Sequence, residues 1–486
     1  MNVSGGISLL FQRLGAAFLV SALALAAADA QAPNASSATN PYWGSITVQP
    51  ATDEILKLSL DDAIRRGFAN NLGLREAENN ELALKGQKNE ALQQFLPTVT
   101  FTGDAGYHQI NLVAFGFKPS VLSNFASLLP PGTPLTGFPT VTRVDLTEAQ
   151  LHLSQTLFSG PVIAGYKAAG AATRAAYFAK MTARGEVVQQ VATIYLRCIA
   201  DASEVENAKS QVNEAQVLLD HEHLAHLAGT VANLDELRAR VQLQTQQQSL
   251  IAAQNLLDKD LIQLKREIGI APGQNMELTD QAPYSDLATQ TPEEALATAY
   301  KDRQDYQNLQ NQAVEFKAVH AAYRSQRLPT LKFSSFYGTS TVNGAGTHGN
   351  FVAYGTLSVP IFREARLRGD EDASKAQLQS VNAQLDDLRS HIDQQVRSAL
   401  LDVTANQQLV DVARSNVELA QRALSDETDR VNAGVDDNLP LVTAQAALAS
   451  AQSNLVESLY QYNLSKLALA RSCGVLELQY RAYLGR

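Results

Sequence analysis

From Leu378 to Leu424, apolar or small residues recur at positions 378, 381, 385, 388, 392, 396, 399, 403, 410, 413, 417, 420 and 424, with the polar Asn406 at the missing step. A mean spacing of about 3.5 is the period of helices that coil around one another. It predicts a helix over 366–432, with a counterpart over 162–227. At about 1.5 Å per residue each is on the order of 100 Å long, which no compact globular domain needs. Shorter helices are expected over 59–94 and 231–269; together they match one long helix in length, so they are expected to stack end to end beside it. Elsewhere the period drops to two. Phe351, Ala353, Gly355, Leu357, Val359 and Ile361 alternate with mostly polar residues, as do Leu331, Phe333 and Tyr337. In the first half Val99, Phe101 and Tyr107 alternate likewise, and Ala149, Leu151, Leu153 and Leu157 face away from Gln150, His152, Ser154 and Thr156. Four strands follow, apolar on one face. The pattern fits a membrane β-barrel and fits a half-buried soluble hairpin equally. Four strands cannot close a barrel, since the smallest have about eight, so several chains would have to share one.

The elements occur twice. Leu58-Ser-Leu-Asp-Asp-Ala-Ile64 aligns with Gln290-Thr-Pro-Glu-Glu-Ala-Leu296 at an offset of 232, which also places Leu96-Pro97-Thr98 on Leu328-Pro329-Thr330 and Phe101 on Phe333. Leu153-Ser154 and Leu157-Phe158 match Leu357-Ser358 and Ile361-Phe362 at 204; Gly229, Asn233, Leu234 and Gly269 match Gly434, Asn438, Leu439 and Gly474 at 205. The chain reads as a duplication, each half running helix, two strands, two helices. The change of offset locates an insertion around Gly116 to Val141, whose Leu129-Pro-Pro-Gly-Thr-Pro134 reads as a surface loop. The expected organisation is a signal peptide at 1–30, an extended segment at 31–57, repeats at 58–271 and 290–475 joined by a linker at 272–289, and a tail at 476–486.

The N-terminus sets the compartment. Arg13, the apolar run Leu14 to Ala28 and the small-x-small Ala28-Asp29-Ala30 form a secretory signal with Gln31 as the first mature residue. The run is shorter than the roughly 20 residues a spanning helix needs, and no later segment is long and apolar enough, so any membrane crossing is expected through strands. No Cys follows the run to carry a lipid anchor. A formal charge of −10 without a Lys/Arg cluster argues against nucleic acid. Cys198 and Cys473 have neither CxxC nor zinc spacing and are expected as small buried residues rather than a disulfide.

Taken together, the duplication, the Leu-Pro-Thr lead-in to the first strand of each half, the Ser154-Gln-Thr-Leu-Phe158 and Ser358-Val-Pro-Ile-Phe362 exits, and the glycine turns at Gly229 and Gly434 followed by Asn-Leu resemble the TolC-like outer membrane efflux protein family. The resemblance runs from Leu58 to Gly474. It implies a mainly α chain with a membrane β-barrel: a trimer whose 12 strands form one outer-membrane barrel, continued by a coiled-coil α-helical tunnel across the periplasm. Spacing alone would equally allow a dimer with eight strands. The implied function is the outer-membrane channel of a tripartite efflux system, a passive duct for small molecules expelled by an inner-membrane transporter through a periplasmic membrane fusion (adaptor) protein. A type I protein-secretion channel is the alternative; a periplasmic coiled-coil adaptor fits less well, because no lipoyl-like domain splits the hairpins. The implied partners are two further copies, the adaptor, the inner-membrane transporter and outer-membrane lipid, with no cofactor.

The helix turns opposite the strands are the implied working end. Gly229, Thr230, Leu234, Gly434, Val435 and Leu439 are expected at the periplasmic tip, where an adaptor docks, with Asn233 and Asn438 as helix caps. The family commonly carries an acidic residue six positions after the glycine. Asp235 fills that place in the first half, but Pro440 stands there in the second, so Asp436 and Asp437 are the candidate pore gate, with Asp235 as the fallback holding neighbouring helices. Two other motifs carry less. Gly344-Ala-Gly-Thr-His-Gly349 is a literal GxGxxG, but it joins two strands rather than a strand to a helix. His221-Glu-His-Leu-Ala-His226 lacks the HExxH spacing and reads as a solvated helix end. No catalytic constellation appears, and no enzyme activity is expected.

Overall fold

A computed structural model describes residues 44–46, 50–115, 141–229, 232–280, 284–287, 290–342, 346–433 and 438–485. The expected signal peptide, the insertion at 116–140, Gly344 and the tip residues Thr230, Gly434, Val435, Asp436 and Asp437 lie outside the described residues. The elements are β1 (Leu56–Leu58), α1 (Leu60–Asn70), α2 (Leu72–Gln93), β2 (Thr98–Asn111), β3 (Val141–Phe158), α3 (Gly160–Leu227), α4 (Asn233–Ile268), β4 (Met276–Leu278), α5 (Pro292–Asp302), α6 (Gln304–Ser325), β5 (Thr330–Val342), β6 (Gly346–Ser358), α7 (Glu364–Asn432), α8 (Asn438–Ser472) and α9 (Leu476–Leu484). The two long helices α3 and α7 begin two residues before the positions expected from the heptad spacing and end on them.

The chain forms two compact units, one of residues 1–80, 178–307 and 387–486, the other of 81–177 and 308–386. In the first unit, Leu58, Leu60, Val187, Val188, Val191, Tyr195, Leu264 and Ile268 are buried together with Ile392, Val396, Leu467 and Leu469. The short strands β1 and β4 pair in parallel, Leu56 with Met276 and Leu58 with Leu278. Tyr195 pins them from α3: its hydroxyl is 3.0 Å from the Leu58 carbonyl and 2.8 Å from Asp280 Oδ2. Both cysteines are free and buried. Residues 476–484, expected as a tail, form α9, which buries Leu476, Tyr480, Tyr483 and Leu484.

The first helix of each half, expected to be continuous, is broken. α1 stops at Asn71 (φ −64°, ψ 130°) and α5 at Arg303 (φ −68°, ψ 122°), positions 232 residues apart. Each break residue still closes the helix before it, through Asn71 N–H to Gly67 O and Arg303 N–H to Ala299 O. Each also opens the next, Asn71 accepting from Arg75 N–H and Arg303 from Gln307 N–H. Their starts match as well. Ser59 caps α1 by accepting from Asp62 N–H, and Thr291 caps α5 in a reciprocal box with Glu294.

The left-handed glycines that end α4 and α8 are fitted to these breaks. A Cβ on Gly269 (φ +75°) would lie 2.6 Å from Ile46 O and 2.8 Å from the Asn70 side chain; one on Gly474 (φ +77°) would lie 2.6 Å from Arg303 N and Cα. Only glycine meets both the backbone angle and the approach.

In the second unit β2, β3, β5 and β6 form one antiparallel sheet in that order. A bulge lies between Thr156 and Phe158. β6 ends at Ser358, so the expected alternation through Val359 and Ile361 leaves the sheet there, and Ile361 and Phe362 are almost fully exposed. Pro360, with no N–H to donate, accounts for the stop. The helical segments of this unit and the turns beside them hold to one another: Phe95 meets Tyr166 edge-on at 6.2 Å, Asn308 donates to Ala175 O at 2.7 Å, and Arg327 pairs with Glu371 at 2.7 Å.

Candidate channel surfaces: the sheet faces and the helix tips

The register of the sheet sorts its side chains into two unlike faces. Phe101 pairs with Leu151, Leu151 with Tyr337 and Tyr337 with Phe351, so one apolar row crosses all four strands. These four are 71%, 48%, 67% and 68% exposed. Val99, Leu153 and Ala353 extend the same face. The opposite face is polar. Asp104 stands against Glu148, Glu148 against Ser340, Thr102 against Gln150 and Thr100 against His152. Ser340 Oγ donates to Glu148 at 2.8 Å and accepts from Asn350. Phe336 interrupts this face, with its ring 5.6 Å from that of His152.

On β3 the apolar Ala149 and Leu151 are exposed while Glu148, Gln150 and His152 are partly covered. A sheet folded for water does the reverse, burying its apolar face on a core. Among the described residues, β2 and β6 each pair on one side only.

Gly229 follows α3 and takes φ +72°, its N–H donating to His226 O at 2.9 Å. A Cβ there would meet nothing within 4 Å, so the backbone angle alone asks for glycine. Ala232, not Asn233, holds the cap position of α4 and makes no side-chain cap bond; Asn233 is the first helical residue. Asn438 is the first residue of α8. Leu234 and Leu439 are both about half exposed. Behind them Leu218 of α3, Ala239 of α4 and Leu441 of α8 form a small buried cluster, flanked by Leu219, Leu424, Val431 and Val442. This cluster brings the two hairpins together near the turns. Asp235 is held within its own helix by Arg238 Nη1 at 3.2 Å.

Sequence reasoning missed Glu236. It is buried, receives Arg240 Nη2 at 3.0 Å and lies 3.1 Å from His223 Nδ1 across the turn. The available signal was symmetry: His223 and Glu236 lie almost equally far on either side of Gly229. Among the described residues no three His, Cys, Asp or Glu side chains are placed to hold a metal.

The outer membrane efflux protein family model matches residues 63–269 and 294–475, and the chain belongs to that family. Pyoverdine export outer membrane protein OpmQ of Pseudomonas aeruginosa is 24% identical over 328 residues, covering 65% of this chain and 67% of OpmQ. Alkaline protease secretion protein AprF of the same organism is 25% identical over 365 residues, covering 70% of this chain and 73% of AprF. The fold is shared with the outer membrane protein VceC of Vibrio cholerae, at a TM-score of 0.69 and 17% identity over 85% of this chain and 96% of VceC. The family is one of outer-membrane channels that continue into the periplasm as a helical tunnel; this chain is a channel protein, not an enzyme.

Proposed function

We propose that three copies of this chain close one 12-stranded outer-membrane barrel and form the exit duct of a tripartite efflux system. The observation that carries this reading is the exposed apolar row Phe101–Leu151–Tyr337–Phe351 on a sheet whose two edges are unpaired among the described residues. Lipid satisfies the row, and neighbouring copies satisfy the edges. The two repeats, 58–271 and 290–475, descend from a duplication and each supply two strands and one helical hairpin.

The hairpin tips, Gly229, Thr230 and Leu234 with Gly434, Val435 and Leu439, dock the periplasmic adaptor, which links the duct to an inner-membrane transporter. Asp436 and Asp437 approach the threefold axis and narrow the pore, where rings of like charge select cations; Asp235 serves the helix pairing instead. The cargo is a small molecule, a reading supported by the likeness to a pyoverdine export protein. Protein secretion is the second reading, favoured by the likeness to AprF.

The test is fractionation and sizing of the mature protein, followed by complementation of an efflux-deficient host. Outer-membrane recovery, a trimer in detergent and restored export of small molecules are expected. A soluble periplasmic monomer would sink both the barrel and the duct.

A further inference from the structure

Midway along the helical hairpins, one cation faces three anions. Arg197 Nε of α3 lies 3.3 Å from Asp201 Oδ1, one turn away, and 3.7 Å from Asp260 Oδ2 of α4; Arg197 Nη1 lies 3.9 Å from Glu457 Oε2 of α8. The guanidinium also stands over the Tyr460 ring, 5.4 Å from its centre. Asp201 is 6% exposed. Its second oxygen, Oδ2, is buried and receives no hydrogen bond, and Asp260 is the neighbouring carboxyl. Glu457, at the open rim, is half exposed and has water to solvate it. One guanidinium cannot neutralise the enclosed Asp201, the partly covered Asp260 beside it and a third carboxylate at the rim, and an uncompensated buried charge is costly. A proton on Asp201 removes that cost and gives the orphaned oxygen a partner.

We propose that Asp201 carries a proton beside the Asp260 carboxyl and, with Arg197, forms a proton-sensitive clasp that ties α3 and α4 of the first repeat to α8 of the second. Burial first, then the Asp260 carboxyl, raises Asp201 to about 7 against the pull of Arg197. Burial pushes the Cys198 thiol and the Tyr460 hydroxyl up, so both remain neutral, and Arg197 remains charged. With the proton in place the two carboxyls attract; without it they repel across the α3–α4 contact and draw Arg197 away from Glu457. The clasp belongs to the fold and stands without the duct reading. Where that reading holds, the clasp makes the joint between the hairpins tighter in acid surroundings.

The test uses the full chain in detergent, with 13C-carboxyl aspartate to separate these groups from buried glutamates. Infrared spectra between about pH 5.5 and pH 8 are expected to show an aspartic-acid carbonyl band that fades as the pH rises. The band is lost in Asp201→Asn, while in Asp260→Asn it fades at lower pH, because burial still raises Asp201 but the second carboxyl no longer does. Over the same range, amide exchange in residues 453–463, corrected for its intrinsic pH dependence, rises several-fold in the unaltered chain and stays flat in Asp201→Asn. Absence of the aspartic-acid band in the unaltered chain overturns the proposal, whether or not a variant folds. So does a band, or an exchange slope, that survives in Asp201→Asn.

Discussion

Gly474 lies directly against the backbone of Arg303: a Cβ on the glycine would come within 2.6 Å of Arg303 N and Cα. The contact brings the end of α8 onto the break between α5 and α6, and the Arg303 side chain secures it. Nη1 reaches Gln395 Oε1 of α7 at 2.7 Å and the Ser472 carbonyl at 3.3 Å, while Nη2 pairs with Asp305 at 2.6 Å. The break therefore turns the arginine into a tie between three helices.

Gly474→Ala should be far more damaging than Gly229→Ala. Both glycines are left-handed, which costs a non-glycine residue about 1 kcal/mol, but only Gly474 also has a backbone in the way. Thermal unfolding in detergent should show a marked drop for Gly474→Ala and Gly269→Ala and a small one for Gly229→Ala. Equal losses at all three would mean that close approach plays no part.

Adjacent residues on β2 should respond oppositely to charge. Phe101→Arg puts a cation on the apolar face, at a cost of about 2–4 kcal/mol if it sits near the bilayer midplane, and should deplete the protein from outer membranes. Thr100→Arg, one residue away on the polar face, should leave membrane recovery unchanged. The readout is the amount of each variant in isolated outer membranes.

Stability should fall as pH rises toward neutrality, in part through Glu267. This side chain is buried, accepts from Gly44 N–H at 3.1 Å, and is pushed by burial to about 7, against the opposing pull of that N–H and Arg266. A carboxyl whose folded value is raised keeps its proton longer in the folded state. Its contribution is therefore full below the ordinary value near 4.5 and is lost as pH rises through about 7. Glu267→Gln should flatten this part of the melting-temperature profile between those limits; an unchanged slope would assign it elsewhere.

Replacing Asp436 and Asp437 together by Asn should reduce cation selectivity in single-channel recordings of the purified protein, whereas Asp235→Asn should not. If selectivity is retained in the double variant, the constriction is built by other residues.

The long helices were legible because a spacing near 3.5 persists through more than ten apolar positions, and the strands because Phe101, Leu151, Tyr337 and Phe351 each sit in a period of two. The breaks at Asn71 and Arg303 were not. Neither residue is Pro or Gly, and the helical pattern continues across them; the Asn71 side chain restarts the helix by accepting from Leu74 N–H at 3.1 Å, and the close approach of Gly474 to Arg303 joins residues far apart in the sequence. Gly229 was legible as a turn from its type alone. The His223–Glu236 pair and the Asp201–Asp260 clasp were hidden because each joins side chains on two helices, and their meeting depends on how the turn sets one helix against the other. Asn233 misled for a local reason: a good capping residue stands one position too late, after Ala232.

The sides of β2 and β6 that are unpaired among the described residues also set a kinetic demand. Strands of 14 and 13 residues with one row of N–H and C=O groups open are templates for any extended chain. A copy released into the periplasm ahead of its mates is thus an aggregation hazard for as long as it stays single. Its safe lifetime is set by how quickly those strand edges are covered.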